Sequence, residues 1–551
     1  MKTKLFTIIS LVCVFAAVLV PDANACTNIL VTKGASKDGS TMLTYTYDTE
    51  AHPNLVYVPA ADHEPNALVE KTPIYRTVKG DVKQAPHTYA VIGSSCETTK
   101  DGGLGLINEH QLVICETTFG GRKELTNPQG QLRYTHLMTL ALQRAKTARR
   151  AIKVMTEMAE KYGYCASGES FSIADTQEVW YMEMIGPGPG GKGAIWVALK
   201  VPDGYVSCHA NRARIGEFPL NDPENCIYSK NVISFAIEKG FYDPDSGKPF
   251  RFCDAYCPEK PKHRRSADIR VWSMLRRVAP SQNLLPDYLR GLEGARPYPL
   301  WVKPDKKLSV SDLFSLIRDH YEGTDYDMTK GIDAGPFGTP NRYRPAQWTV
   351  DDVNYAWDRP ISTFHTAFSI VSQSRHWLPN PIGGLIWYGV DDTYTNCYTP
   401  LYCGINDLPK SHIVGTRDKF SWDSSWWIFN FVANFANIRY SDMIKDIQTV
   451  QKQIETNLLA LQPVVEKTAL ELAESKPELM TRYLTDYCVS QGELMVSRWR
   501  ELGEHLISKY NDGYIKDEKG KPQEKGYSES WLKEVINARP YHFFLPKIQK
   551  D

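Results

Sequence analysis

Runs of β-branched and aromatic residues, separated by short polar turns, fill much of the first half of the chain and predict antiparallel β-hairpins. The clearest turn is Asp38-Gly39, because Asp-Gly between two such runs is a strong hairpin signal. The four predicted hairpins pair residues 27–32 with 41–48, 104–107 with 111–116, 170–174 with 178–184, and 194–200 with 205–209.

Two stretches have apolar residues at helical spacing instead. Residues 132–162 predict a helix among the hairpins, and residues 441–551 predict a helical C-terminal extension that packs on the core. Residues 243–343 are irregular and rich in Pro, Arg and Lys. We interpret them as an inserted, lid-like segment with short helices near 267–278 and 310–321. Strands covered by helices predict an α+β fold.

The first 25 residues have the three parts of a secretory signal peptide. Lys2 and Lys4 precede an apolar run over 5–20, and Ala23-Asn24-Ala25 is an A-x-A cleavage site. The run is short for a membrane span, and no longer apolar stretch follows it. We therefore expect a mature protein that begins at Cys26, has no membrane span, and is periplasmic or secreted.

The charge is balanced, with 64 Lys and Arg against 64 Asp and Glu. A surface of this kind gives no reason to expect nucleic acid or an anionic membrane as a partner. The composition leaves open whether the protein forms a homo-oligomer.

Cysteine is frequent enough to raise the question of disulfides. If Cys26 stays free, ten cysteines follow it, an even number that permits pairing in an oxidising compartment. The pairs closest in sequence, Cys253 with Cys257 and Cys397 with Cys403, are the favoured candidates. Structural zinc is the weaker alternative, because no C-x-x-C or H-x-x-x-H motif accompanies them.

Cys26 would carry both a thiol and a free α-amino group after cleavage. The amino group has an ordinary pKa near ~7.7, so it can take the thiol proton and leave the reactive thiolate. This is the N-terminal-nucleophile arrangement, with nucleophile and base on one residue. Two alternatives are an ordinary structural cysteine and a lipid-anchored cysteine, although Ala23 stands where a lipobox has Leu.

Five blocks of sequence, in order from Cys26 onwards, resemble the C69 peptidases. These are N-terminal-nucleophile dipeptidases related to penicillin V acylases and bile-salt hydrolases. The blocks are CTNILV with KGASKDGST (26–41), GLINEH with ETTFGG (105–121), ESFSIAD with WYME (169–183), NRARI (211–215) and the stretch 369–389.

The resemblance implies a four-layer αββα sandwich over residues 26–440 and a thiol peptidase that cleaves amide bonds through a thioester. It implies no metal and no organic cofactor. The first hypothesis for the substrate is a dipeptide or other small peptide. The alternatives are an N-acyl amide hydrolase and, in a different class, an exported binding lipoprotein in which Cys26 is only an anchor.

The resemblance also assigns roles near the nucleophile. Asp48 matches the residue that holds the free amino group of Cys26. Related enzymes often have Arg three positions before that Asp, where this chain has Tyr45. Tyr45 can donate a hydrogen bond in the substrate site but cannot supply positive charge, so a positive charge near the thiol either comes from elsewhere or is absent.

Four further candidates complete the predicted site. Asn108 is assigned to the oxyanion hole, with a turn-forming Asn as the alternative. Arg212 is the first candidate for the missing cation. Arg214 would share its face of a strand and bind substrate. Glu116 is a candidate for binding a substrate ammonium group, with a solvated strand residue as the alternative.

Overall fold

The computed structural model describes residues 26–70, 74, 78–96 and 103–545, so the predicted signal peptide lies outside the described residues. The chain combines strands and helices. In chain order the strands are β1 (Asn28–Val31), β2 (Met42–Asp48), β3 (Pro53–Val58), β4 (Ala61–Asp62), β5 (His87–Thr88), β6 (Val91–Cys96), β7 (Gly103–Asn108), β8 (Val113–Gly120), β9 (Gly168–Ala174), β10 (Val179–Ile185), β11 (Ile195–Lys200), β12 (Val206–His209), β13 (Cys226–Tyr228), β14 (Trp301–Val302), β15 (Gln347–Val350), β16 (Val353–Ala356), β17 (Thr366–Gln373), β18 (Leu385–Val390), β19 (Thr399–Tyr402), β20 (Ile515–Lys516) and β21 (Pro522–Gln523).

Two large antiparallel sheets face each other. The first has the order β14-β12-β1-β2-β17-β18-β19, and the second has the order β13-β11-β10-β9-β8-β7-β6-β3. Strands β1 and β2 of the first sheet contact β8 and β9 of the second, so the core lies between them. The strands of this interface are buried on both faces, and they carry polar as well as apolar side chains there, among them Thr44, Glu116 and Ser172.

Three of the four predicted hairpins form as expected. Strand β1 pairs with β2, β7 with β8, and β9 with β10. The fourth prediction is wrong, because β11 pairs with β10 in the second sheet whereas β12 pairs with β1 in the first. The turn at Pro202 to Tyr205 exists, but there the chain passes from one sheet to the other.

Helices cover the outer faces of the sheets. In chain order they are α1 (Tyr134–Arg144), α2 (Ala148–Tyr162), α3 (Ser234–Glu238), α4 (Phe252–Tyr256), α5 (Pro261–His263), α6 (Ile269–Val278), α7 (Asp287–Arg290), α8 (Val310–Ile317), α9 (Asn380–Gly383), α10 (Ser425–Ala436), α11 (Tyr440–Ser475), α12 (Pro477–Lys509) and α13 (Glu529–Ala538). Helices α1 and α2 pack on the second sheet, and α8, α10, α11 and α12 contact the first. The single helix predicted over 132–162 is two helices, because Ala145 is extended and the Thr147 side chain caps α2.

The segment 243–343, expected to be lid-like, is built into the fold. Strand β14 extends the first sheet by pairing with β12, and α6 packs against both strands. Nearly every residue of α6 is buried. Helix α6 therefore belongs to the core beside the sheet rather than to a cover over it.

The C-terminal helices are joined to the sheet domain by buried ion pairs. Arg318, at the end of α8, makes two hydrogen bonds to Glu455 of α11, at 2.9 and 2.6 Å. Arg375, which follows β17, pairs with Glu466, about three helical turns after Glu455 on α11. The long hairpin of α11 and α12 thus packs on the core through charge as well as apolar contact.

The cysteines do not form the favoured disulfides. All eleven cysteines of the described residues are free thiols, including Cys253, Cys257, Cys397 and Cys403. Cys253 and Cys257 lie one turn apart, where the Cys257 N–H donates to the Cys253 carbonyl. Among the described helices, none has the length and apolar content needed to cross a membrane.

Removing the Glu455 carboxylate should destabilise the protein, because Arg318 would be left as a largely buried, unpaired cation. We expect Glu455→Ala to lower the free energy of unfolding by about 3 kcal/mol. Glu529→Ala, which breaks an exposed pair with Lys533, is the control and should cost less than about 1 kcal/mol. Urea unfolding followed by tryptophan fluorescence measures both, and equal effects would contradict this role for Arg318.

Candidate active site

Cys26 lies at the start of the central strand pair of the first sheet and is fully buried. The next residue fixes it: the Thr27 N–H donates to the Thr46 hydroxyl group at 3.0 Å, and the Thr46 N–H donates to the Thr27 carbonyl at 3.1 Å. The Cys26 thiol faces the second sheet and donates to Oε1 of Glu116 at 3.7 Å.

The environment of the thiol keeps it protonated. Burial raises the pKa of Cys26 well above its usual value, and the carboxylates of Glu116 and Asp48 raise it further. A hydrogen bond from the backbone N–H of Asp48 acts in the opposite direction. The thiol therefore needs a base within contact distance before it can act as a nucleophile.

The Asp48 carboxylate is held from three sides. Its Oδ2 accepts from Arg359 at 2.7 Å and from the Thr46 hydroxyl at 2.9 Å, and its Oδ1 accepts from the Thr366 hydroxyl at 2.8 Å. The group is buried and lies close enough to Cys26 to raise the pKa of the thiol. The structure thus brings Asp48 together with Cys26.

Tyr45 and Glu116 also meet at the nucleophile, across the space between the sheets. The Tyr45 hydroxyl group donates to Oε1 of Glu116 at 2.7 Å, the same oxygen that accepts from the Cys26 thiol. Tyr45 therefore orients an anion where the related enzymes often have a cation.

Arg270 on α6 is a cation in direct contact with Cys26, and the sequence reasoning missed it. Its Nη1 donates to the Cys26 carbonyl and to the Thr27 hydroxyl group, both at 2.8 Å. The side chain is fully buried. A sequence signal existed: Arg270 shares a helical face with the apolar residues Ala267 and Met274, where a cation needs a specific partner.

The same guanidinium group holds Asn211. Nη2 of Arg270 donates to the Ala210 carbonyl at 3.2 Å and to Oδ1 of Asn211 at 2.9 Å. Asn211 has a left-handed backbone with φ of 59°, which side chains other than Gly adopt rarely and often at functional sites. Its amide nitrogen donates to the Thr118 carbonyl at 2.8 Å.

Arg212 does not lie beside the thiol. Its guanidinium group pairs with Asp268 and donates to the Tyr288 hydroxyl group at 2.9 Å. Arg214 donates to backbone carbonyls of Cys208 and Pro299. Strand β12 ends before these residues, so the alternation that placed both on one strand face is absent.

Asn108 does not lie in the position expected of an oxyanion donor. Its amide nitrogen donates to the carbonyls of Leu142 and Ala145, at 2.7 and 2.8 Å, and its oxygen accepts from the backbone of His110 and Leu112. Both amide hydrogens are used in fixing the β7–β8 turn to α1. Asn108 is therefore a turn-forming residue, as in the alternative to the oxyanion role, because the chain reverses there.

Comparison with protein-family models identifies the family of the chain. The model of peptidase family C69 matches residues 25–453, which is most of the chain and begins one residue before Cys26. The chain belongs to peptidase family C69. Hydrolysis of peptide bonds is therefore its class of reaction, and the resemblance seen in the sequence is confirmed.

Curated members of the family match over most of their length. A probable dipeptidase of Latilactobacillus sakei is 25% identical over 434 residues, covering 76% of this chain and 82% of the relative. A probable dipeptidase of Salmonella dublin is 26% identical over 393 residues, covering 69% and 81%. Dipeptidase A of Lactobacillus helveticus is 24% identical over 427 residues, covering 75% and 82%.

Among solved structures, penicillin V acylase from Agrobacterium tumefaciens is similar to this C69 peptidase. It is 12% identical, with a TM-score of 0.28, and the alignment covers 68% of this chain and 86% of the acylase.

Replacing Arg270 should weaken this C69 site more than replacing Arg212. Arg270→Lys keeps the charge but cannot reproduce the forked contacts to Cys26, Thr27 and Asn211. Losing one or two charge-assisted hydrogen bonds should slow dipeptide hydrolysis about 10- to 100-fold. Arg212→Lys, which keeps a cation beside Asp268, is the matched control and should stay within a few-fold of wild type.

The same two variants can be compared without substrate. The rate of Cys26 alkylation by iodoacetamide, followed by mass spectrometry of the N-terminal peptide, should fall in Arg270→Lys and not in Arg212→Lys. The opposite ranking would restore Arg212 as the cation that acts on the thiol.

Proposed function

We propose that this C69 peptidase is an exported dipeptidase of the N-terminal-nucleophile type, with Cys26 as its nucleophile. The observation that carries the proposal is the buried Cys26 thiol, flanked by Asp48 and Glu116 and preceded directly by a signal-peptidase sequence. The dipeptidase names of the curated relatives support the substrate class.

Activation begins with cleavage between Ala25 and Cys26, which frees the α-amino group. In its neutral form this amine accepts the thiol proton, and the thiolate attacks the carbonyl carbon of the scissile bond. Burial disfavours the thiolate form of Cys26. The α-amino group of the same residue therefore serves as the base that removes the thiol proton. The carboxylate of Asp48 keeps the resulting ammonium group in place.

The tetrahedral intermediate then collapses to a thioester. The ammonium group returns its proton to the leaving amine, the C–N bond breaks, and a thioester forms between Cys26 and the acyl part of the substrate. Water, deprotonated by the same amine, attacks the thioester and releases the acid and the thiol.

Asn211 is our candidate for the side chain that donates to the oxyanion, in place of Asn108. It is tied to Cys26 through Arg270, which contacts both residues. Arg270 is a positioning residue in this scheme, because it contacts the main chain of Cys26 rather than the reacting atoms. The two facing sheets with helices outside them correspond, in our proposal, to the αββα sandwich of N-terminal-nucleophile hydrolases.

Cys26→Ala should abolish hydrolysis of dipeptides while leaving folding intact, because the methyl group fits where the thiol lies. Cys26→Ser should retain at most a trace, since a hydroxyl group is a much weaker nucleophile. A wild-type chain that keeps Met1 and is retained in the cytoplasm should also be inactive, because its Cys26 nitrogen is an amide. N-terminal sequencing and a dipeptide assay measure these outcomes, and full activity in Cys26→Ala would reject the mechanism.

Asp48→Asn should move the acidic limb of the pH profile. A carboxylate stabilises the protonated form of the Cys26 amine, so removing it lowers the pKa of that amine. The base then stays neutral to lower pH, and the acidic limb of kcat should shift downward while kcat itself falls. Asp62→Asn, at an exposed carboxylate of β4, is the control, and an unchanged limb in Asp48→Asn would separate Asp48 from the amine.

A further inference from the structure

Two carboxyl groups meet beside the nucleophile. Glu116 on β8 lies diagonally across the strand pair from Glu169 on β9, since Glu169 is opposite Thr118 in the register. Side chains in this relation share a face of the sheet and can touch. Oε2 of Glu116 and Oε2 of Glu169 are both buried, and neither has a hydrogen-bond partner among the described residues.

Two full negative charges on this pair are disfavoured. Both side chains are fully buried, and two ionised carboxylates in contact there would repel each other. Burial and the Glu116 charge raise the pKa of Glu169 well above its usual value, whereas hydrogen bonds from Tyr45 and Cys26 partly offset the effect of burial on Glu116. Of the two groups, Glu116 therefore ionises more readily and is the anion when the pair is charged.

This anion lacks a matching cation in the described residues. Glu116 accepts from Tyr45 and Cys26, and Glu169 accepts from the Thr118 hydroxyl group at 2.9 Å. Neither carboxyl group forms an ion pair with a described side chain; Arg133 acts on Glu169 without forming an ion pair. A buried charge of this kind is costly unless a partner neutralises it.

A second, independent feature points to a ligand at the same place. The hydroxyl group of Tyr47 is fully buried and has no hydrogen-bond partner among the described residues. Tyr47 is two residues from Tyr45 on β2, so both rings face the second sheet. Its hydroxyl group interacts electrostatically with Cys26 and Glu116. A donor-acceptor group left unpaired beside a buried anion suits a ligand that has several N–H donors.

Distance restricts which ligand group can reach the pair. An attacking sulfur lies about 3–3.5 Å from the carbonyl carbon. In an amino acid the α-nitrogen is about 2.5 Å from its own carbonyl carbon, from standard bond lengths and angles. Glu116 Oε1 is 3.7 Å from the Cys26 sulfur. An ammonium group on the residue that supplies the scissile carbonyl is therefore within hydrogen-bonding reach of that oxygen.

We infer that Glu116 and Glu169, together with the Tyr47 hydroxyl group, bind the α-ammonium group of the N-terminal residue of a peptide, so that cleavage follows that residue. The inference rests on the proposed function, because it places the ammonium group relative to a carbonyl attacked by Cys26. The N–H donors of an ammonium group match the unpaired oxygen atoms of Glu116, Glu169 and Tyr47, and its positive charge matches the negative charge of an ionised carboxylate in this pair. An N-acyl amide would leave that charge buried and unpaired.

The test uses two substrates that differ only in the ammonium group, L-alanyl-L-alanine and propionyl-L-alanine. Release of alanine from the free dipeptide should exceed that from the propionyl compound by about 100-fold or more in kcat/KM. The double variant Glu116→Gln/Glu169→Gln removes the charge but keeps hydrogen-bonding groups of the same shape. Its preference should collapse to within a few-fold, mainly through a higher KM for the dipeptide. A double variant is needed because, in either single variant, the remaining carboxyl group can ionise.

Two further variants test whether a change in substrate preference is caused by misfolding. Tyr47→Phe removes only an unpaired hydroxyl group, so the fold should be unaffected, and we expect a higher KM for the dipeptide with no change for the propionyl compound. Glu157→Gln, at an exposed carboxylate of α2, should leave both substrates unchanged.

The outcomes separate this inference from the proposed function. Equal or faster cleavage of propionyl-L-alanine by the wild type, lost in Cys26→Ala, would overturn the ammonium site and keep the nucleophile. A loss of Cys26 alkylation in the double variant with an unchanged substrate preference would instead make Glu116 a base for the thiol. Cleavage that persists in Cys26→Ala would reject the proposed function itself.

Discussion

The arrangement of the site depends on one buried guanidinium group. Arg270 donates to the Cys26 carbonyl and the Thr27 hydroxyl group at the start of β1, to Ala210 and Asn211 after β12, and to the Ser266 carbonyl before α6. Burial lowers the pKa of this group, and the carbonyl and hydroxyl oxygens around it compensate for the lost water. The planar fork of five donors suits this task, because it can bind several backbone segments at fixed angles at once.

Charge is distributed unevenly around the nucleophile. On one side Asp48 is paired with Arg359, and Arg270 is surrounded by neutral oxygens. On the other side Glu116 and Glu169 form a buried acidic pair with no ion-pair partner among the described side chains. Tyr45, which stands where related enzymes often have Arg, lies on this second side. Its hydroxyl group donates a hydrogen bond to Glu116, whereas an Arg would have neutralised the charge of Glu116. Cys26 thus contacts the hydrogen-bonded guanidinium group of Arg270 through its carbonyl and the carboxyl group of Glu116 through its thiol.

The proposed nucleophile, Cys26, could be singled out from the sequence because its signals are local. The cleavage sequence that ends at Ala25, the block from Cys26 to Thr41 and the turn at Asp38-Gly39 all lie close together in the chain. Asp48 was proposed through the family resemblance, because it matches the Asp that follows shortly after the first hairpin in related enzymes. Tyr45 was recognisable as a departure for the same reason, since a residue of a regular hairpin keeps a fixed place relative to its neighbours.

The sequence by itself determined the strand runs and the first hairpin and pointed to Cys26 as the candidate nucleophile, because all three rest on short-range pattern. Only the tertiary structure decided that β12 leaves β11 and joins β1, because a turn fixes a reversal of the chain but not the sheet that receives it. It also decided that the cation beside Cys26 is Arg270 rather than Arg212, and that Glu169 joins Glu116. These contacts join residues tens to hundreds of positions apart, and which buried charges meet depends on how sheets and helices pack.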